Sequence, residues 1–400
     1  MSDSIPAMPE RSVDVLLIGG GIASATAAIT LRQEGFTGSV LLVGRELDPP
    51  YHRPPITKGY LQGSEAKDDM LVALPDDVEV MKRTSVLTLD VTARTATLST
   101  KDTVTFEHAL IATGAMVRRL ELDGDSRDRI HYLRAPRNAD ALRADAQTTE
   151  AVVMIGGSYI GCETAASLTA LGKPCTILMQ ESDPLDRHFG TTAARYVRSV
   201  LEDHGITVRG GVEVDALIGA GEAVEGVRLV GGEVIPADLV VLGVGAQPDV
   251  TLALKSGLPI GDLHGVRCDS HLRVKGASGI YAAGDMCEYD SVVHGRVLRV
   301  EHEEHAAAQG ATVARVIMGS KEPHTEVPYF FSDLADWCAL EYVGPAAAWE
   351  EEIVEGSVAD GAFSVTYVDA ERRVLGCLSV NGYGDLDGAR ARIASREPLG

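Results

Sequence analysis

The chain predicts an α/β protein with two βαβ units and a small α+β domain at its C-terminal end. Three observations predict it. Two short apolar runs each end in a glycine-rich turn that opens an Ala-rich helical stretch. The two turns, starting at Gly19 and Gly156, stand 137 residues apart. From Val327 the composition then shifts toward strand-forming residues.

The first unit starts with Val13-Asp14-Val15-Leu16-Leu17-Ile18, a run short enough for a buried strand. Gly19 and Gly21 allow a tight turn and a close approach of backbone to a ligand, and Ser24 takes the place of the third small residue. Ile22 to Gln33 reads as a helix, Gly35 and Gly38 stop it, and Val40 to Val43 is the second buried strand. The head of such a helix offers free N–H groups and a positive dipole end, which suits a pyrophosphate. Beyond it, Pro49-Pro50 and Pro54-Pro55 stiffen a loop that carries Arg53 and Lys58 as fixed cations. Short strands at 78–80, 85–89, 93–98 and 103–106 follow, in part with the alternation of an antiparallel meander. A further strand from Ala109 ends in Ala112-Thr113-Gly114.

The second unit has its strand at Val152 to Ile155 and its turn at Gly156-Gly157-Ser158-Tyr159-Ile160-Gly161. Its helix runs from Cys162 to Leu171, ends at Gly172, and precedes a strand from Cys175 to Met179. Two such turns in one chain point to two dinucleotide cofactors, one a flavin and the other a nicotinamide. Ser158 departs from the glycine pattern, and its hydroxyl is a possible phosphate donor. At the ribose-reading position stands Met179, with Glu181 just beyond it and Arg187 nearby. A carboxylate there favours NADH and a guanidinium favours NADPH, so both coenzymes are expected, with NADH slightly favoured.

A helix at 194–203 and short strands at 206–208, 212–217, 226–230 and 232–236 complete that region. The buried strand from Asp238 exits through Gly243-Val244-Gly245 to Pro248. The strand Gly279-Ile280-Tyr281-Ala282-Ala283 ends at Gly284, which turns the backbone and projects Asp285 as an acceptor. Glu301-His302 precedes an Ala-rich helix from Ala306 to Met318, whose dipole would favour negative charge at its head. The C-terminal segment holds strands at 340–343, 363–368 and 374–380 and a closing helix at 385–393.

Composition bounds the rest. Four hundred residues call for two or three domains. With 36 basic and 58 acidic residues the net charge is −22, which argues against nucleic acid or an anionic membrane as partner. No apolar run approaches the ~20 residues of a membrane span. The polar leader, 1–12, lacks a signal core and reads as a loose tail, so the cytoplasm is the expected location. The six cysteines show neither CxxC nor metal-ligand spacing, so no metal site is expected.

These motifs together resemble the oxygenase-coupled ferredoxin reductase family over nearly the whole chain. The resemblance implies two Rossmann-like domains, an FAD-binding one at 1–115 and 243–322 and an NAD(P)H-binding one at 116–242, plus an interface domain at 325–400. It implies FAD contacts at Gly19, Gly21, Arg53, Lys58 and Asp285, and Ser24, Arg45, Glu46, Val86, Ala112, Thr113, Gly114, Gly245, Gly284, Glu301, His302 and Phe331 are further candidate cofactor-binding residues. It implies nicotinamide contacts at Gly156, Tyr159, Ile160, Gly161 and Glu163, with Ser158 and Glu181 as further candidates. Lys58, Glu163, Tyr159 and His302 are the implied catalytic group: Glu163 pairs with Lys58 beneath the ring, and Tyr159 covers it until the nicotinamide arrives. The implied reaction takes hydride from NAD(P)H onto FAD and hands single electrons to a small iron–sulfur ferredoxin that feeds an oxygenase. Three positions depart from the family pattern: Glu303 and Phe331 stand where relatives often have Trp, and Arg45 where an acidic residue is frequent. Flavin disulfide reductases carry redox cysteines near the first helix, and Ile22 to Lys58 has none. The rival readings are a small-molecule reductase or NAD(P)H oxidase, and an assembly module switched by its flavin. Monomer and homodimer stay equally open.

Overall fold

The computed structural model describes residues 10–400. The described residues begin in a strand, Glu10–Ile18, three residues before the apolar run; the rest of the expected loose leader lies outside them. Helix α1, Ile22–Gln33, follows its glycine turn as expected. The strands Glu79–Met81, Val40–Val43, Glu10–Ile18 and Thr103–Ile111 lie side by side, all parallel, with Ile280–Ala282 added on the far side of Thr103–Ile111. Strands Thr95–Leu98 and Val86–Asp90 extend the sheet as an antiparallel meander.

Thr103–Ile111 merges two strands expected to be separate. Its first half alternates, burying Val104 and Phe106, and its second half is buried on both faces at Ala109, Leu110 and Ile111. One strand therefore carries both patterns, because it leaves the half-solvated meander and enters the covered parallel centre. A short helix α2, Gly59–Gln62, then sits beneath the proline loop.

Residues 115–117 and 246–248 pair antiparallel and carry the chain into and out of the second unit. Helix α3, Pro136–Ala146, was not expected from the sequence. Its Pro136 occupies the first turn, where a missing N–H costs nothing, and Asn138 accepts from the Ala135 N–H at 3.0 Å. Helix α4, Tyr159–Ala170, starts three residues earlier than expected and so carries Tyr159 at its head. Helix α5, Asp186–Asp203, also starts earlier and breaks at Gly190, whose φ of +71° interrupts the helical run. The sheet of this unit is wholly parallel, in the order Thr207–Arg209, Cys175–Leu178, Val152–Ile155, Leu239–Leu242, Ile130–His131.

After the short helix α6, Thr251–Lys255, the chain returns to the first sheet and enters α7, Glu303–Ile317. Helix α7 packs along α1 so closely that a Cβ on Gly310 would lie 2.1 Å from the Ala23 carbonyl oxygen. The C-terminal domain is a five-stranded antiparallel sheet with α8, Leu386–Ser395, against it. Its edge strand Glu351–Ser357 was missed because it is largely exposed and lacks an apolar run. Asp385 caps α8, accepting from the Gly388 N–H at 2.8 Å. No helix among the described residues is long and apolar enough to cross a membrane.

Candidate functional site

A cavity of about 710 Å³ runs between the two glycine turns and is closed on one side by the C-terminal sheet. All the expected cofactor-binding and catalytic residues line it except Ser24, Gly156, Gly161 and Glu181. Ser24 is fully buried behind the first turn, where it serves packing between α1 and its surroundings. Gly156 and Gly161 face each other: a Cβ on Gly161 would meet the Gly156 carbonyl oxygen at 2.1 Å. They shape the second turn from behind. Glu181 stands beyond the cavity, held 2.8 Å from Arg187.

The two turns are built to meet an anion. The head of α1 carries no side-chain cap, and a Cβ added at Gly21 would have no neighbour within 4 Å. Its orphan N–H groups therefore open onto free space on the cavity side. Gly19 plays the opposite part: at φ +120°, its missing Cβ lets Ala112 approach, whose carbonyl oxygen would lie 2.1 Å away. The head of α4 is likewise uncapped. Ser158, however, does not offer its hydroxyl to a phosphate, because that hydroxyl donates to the Gly243 carbonyl at 2.7 Å. These features fit two bound dinucleotides.

Three parts of the chain meet at Glu163, which is 6% exposed. Its carboxylate accepts from Thr57 Oγ1 at 2.5 Å and from Ser332 Oγ at 2.6 Å. Lys58 Nζ lies 3.1 Å away. Lys58 also stands over the Phe331 ring, 4.7 Å from its centre. Thr57 and Ser332 were not anticipated, although each neighbours a residue that was. The carboxylate is thus fully engaged, as a buried charge must be.

An aromatic wall covers the same end. Tyr159 packs against Phe330, His188 and Phe189 at 5.0, 4.7 and 5.8 Å between ring centres. His302 packs on Phe330 at 4.4 Å. Alternation along Tyr329–Leu334 sets Phe330 in this wall and leaves Phe331, which also lines the cavity, at its half-exposed rim. Burial, reinforced by His188, pulls the His302 imidazole down to about 4, so it is neutral near pH 7. Burial likewise raises the Tyr159 hydroxyl well above its usual range.

At the other end, Arg53 does not present a free guanidinium. It bonds Glu46 at 2.5 Å, the Tyr51 hydroxyl at 2.5 Å and the Arg134 carbonyl at 2.8 Å. Arg45 is spent on Asp249, 2.7 Å away. The cation facing Asp285 is Arg134, at 3.7 Å. Burial and the neighbouring Arg53 lower the Arg134 guanidinium, and Asp285 offsets them only in part. No sequence motif marks Arg134; only the fold brings it to Asp285. Glu303, in the place of a Trp, accepts from the Arg53 backbone N–H at 2.8 Å and meets His52 at 2.7 Å. Burial raises the Glu301 carboxyl. All six cysteines are buried and unpaired, and none lines the cavity.

Residues 13–310 match the family described as pyridine nucleotide-disulphide oxidoreductase. The chain is 30% identical over 392 residues to rhodocoxin reductase of Rhodococcus erythropolis, covering 97% of this chain and 91% of that one. It is 33% identical over 391 residues to the ferredoxin reductase subunit of a 5,5'-dehydrodivanillate O-demethylase from Sphingobium, covering 95% and 93%. Among solved structures, that of a covalent putidaredoxin reductase–putidaredoxin complex superposes with a TM-score of 0.91 at 28% identity, covering 97% and 94% of the two chains. The chain therefore belongs to the pyridine nucleotide-disulphide oxidoreductases, in their ferredoxin reductase branch, and is an FAD-dependent NAD(P)H oxidoreductase.

Proposed function

We propose that the protein takes a hydride from NAD(P)H and delivers single electrons to a small iron–sulfur protein that feeds an oxygenase such as a cytochrome P450. The observation that carries this reading is the cavity itself: both dinucleotide turns open onto it, and no cysteine lines it. Electrons therefore leave without a disulfide relay. When bound, FAD supplies the conversion of a two-electron donor into one-electron steps.

The chain's own residues bind, orient and shield. The uncapped head of α1 would hold the FAD pyrophosphate, and Asp285 its ribityl chain. Glu163 holds Lys58 at the cavity wall, where the ammonium favours negative charge. Tyr159 and Phe330 exclude water from that end. The head of α7, with neutral His302 as its N-cap, adds a positive dipole end, which Glu303 and Glu304 in its first turn partly counter. A steady-state assay offering ferredoxin, quinone and oxygen as competing acceptors tests the reading. Preference for quinone or oxygen would replace it with a small-molecule reductase or oxidase. Reduction that only changes the oligomeric state would make it a switched assembly module.

Replacing Asp285 by alanine removes a charge-assisted acceptor worth about 1.5–3 kcal/mol. FAD affinity is expected to fall by about 10- to 150-fold. Flavin titration by fluorescence measures it, and an unchanged affinity would remove Asp285 from the site.

For the coenzyme, Glu181 and Arg187 neutralise each other rather than compete. Arg187 is 73% exposed, so any contact with a 2′-phosphate is well screened. Both coenzymes should work, with a slight lean to NADH. In Glu181→Ala the freed Arg187 should move the kcat/KM ratio toward NADPH, by about tenfold or less. A ratio that stays put in this variant, while Arg187→Ala moves it strongly toward NADH, would reverse the assignment.

A further inference from the structure

Behind the cavity lies a buried polar chain that nothing in the reaction uses directly. Gly284 is the turn before Asp285, held between α1 and α7: a Cβ there would lie 3.6 Å from Ala306 and 3.8 Å from Ala23. Its backbone N–H donates to Gln309 Oε1 at 2.7 Å. Gln309, on α7, is fully buried. Its Nε2 lies 3.2 Å from His305 Nε2, and the Tyr289 hydroxyl lies 3.3 Å from the same nitrogen. His305 is 1% exposed and its Nδ1 has no partner.

The direction of this chain is fixed by chemistry. A backbone N–H only donates, so Gln309 must turn its oxygen toward Gly284. Its amide nitrogen then faces His305, and it too only donates. His305 Nε2 must therefore accept, which makes the ring neutral with its proton on Nδ1. A proton added at Nε2 would set two donors against each other. The Gln309 amide would have to flip, and its NH₂ would then oppose the Gly284 N–H. Either way one buried bond is lost, and the far end of the chain is the turn that aims Asp285.

We propose that Gln309 and His305 are positioning residues for the cofactor: they lock the Gly284–Asp285 turn, and the lock stays closed only while His305 is neutral. The proposal rests on Asp285 being a contact of FAD.

The groups facing His305 support a neutral ring. They are Tyr289 on the strand Cys287–Ser291, His294 on the turn after it, His324 in the segment before the C-terminal sheet, and His302 at the N-cap of its own helix. None is a carboxylate. Burial, with these three histidines, holds His305 well below the ordinary imidazole range. The sign follows. A histidine kept neutral in the closed state opposes nothing above its free value, about 6.5. As pH falls below that value, any state that lets the ring take a proton is favoured, by up to about tenfold per pH unit. FAD release should therefore accelerate in acid.

The test follows FAD release from purified holoprotein by the rise in flavin fluorescence on dilution, at pH 7.5 and pH 5.5. Wild type should release about three- to tenfold faster at pH 5.5. Gln309→Leu removes both bonds and should release rapidly at both pH values, with the pH effect lost. Gln309→Glu keeps an acceptor for Gly284 and can accept from a protonated His305. It should retain FAD at both pH values and abolish or invert the acid effect, which a merely structural role would not do. Should Gln309→Leu fail to fold, Gln309→Glu alone decides, and a wild-type pH profile in it overturns the proposal. Asp285→Asn is the control. If it leaks FAD while Gln309→Leu does not, the lock is wrong and the site assignment stands. If Asp285→Asn holds FAD like wild type, the site assignment fails and the proposal with it.

Discussion

Glu163→Ala is expected to lower folding stability by about 3–5 kcal/mol, because it strands the half-buried Lys58 charge and takes from two hydroxyls the carboxylate that accepts from them. Thr57, Lys58 and Ser332 come from two separate parts of the chain, and Glu163 from a third. Losing it should loosen the joint between the two nucleotide units and the C-terminal sheet. Reduction of the bound flavin by NADH should slow by about 10- to 150-fold, the worth of one charge-assisted contact. Lys58→Ala should do similar damage, leaving Glu163 buried with hydroxyls alone. The double variant should cost less than the sum of the two, by about 0.5–3 kcal/mol, since each single change creates the unpaired charge that the other removes. Urea unfolding of the holoprotein and stopped-flow flavin bleaching measure the two effects. Strict additivity in both would mean that the pair, although in contact, does not work as one.

A second large effect separates two glycines of one turn. Gly19→Ala should cripple the protein whether or not FAD is present. Its φ of +120° costs a side chain about 1–3 kcal/mol. Its Cβ would also need the Ala112 backbone to retreat from 2.1 Å. That backbone is anchored, because the Ala112 N–H donates to Ile18 at 2.8 Å. Gly21→Ala should behave differently. Gly21 has ordinary extended angles, φ −92° and ψ 179°, and empty space where the Cβ would go. Stability of the flavin-free chain should change by less than about 1 kcal/mol. FAD affinity should still fall tenfold or more, because the methyl group occupies the approach to the pyrophosphate. Thermal unfolding with and without FAD reads both. A Gly21→Ala protein that keeps FAD tightly would place the phosphate elsewhere.

Much of this arrangement can be read from the chain alone. Short apolar runs closing on glycines determine two parallel βαβ units, since few other arrangements bury such runs and turn them so tightly. The same pattern locates Gly19 and Gly21, and the strand ending in Gly284 locates Asp285. Lys58 and Glu163 were legible as a pair only through the resemblance to a family, because 105 residues separate them. Their contact depends on how α4 meets the proline loop.

Tertiary structure decided what the local pattern leaves open. Ser158 suits a phosphate on paper, yet the fold brings Gly243 within reach of its hydroxyl and uses it there. Arg53 reads as a fixed cation, and the fold alone shows what fixes it: Glu46, Tyr51 and the Arg134 carbonyl. Phe331 and Phe330 differ only by the parity of one strand, which the sheet's packing sets. Arg134, Thr57, Ser332 and the Gln309–His305 chain carry no motif at all. The physical reason is common to all of them. Local sequence determines backbone conformation through sterics and burial period, whereas a polar side chain's partner is chosen by whichever groups the packed backbone happens to bring within about 3 Å.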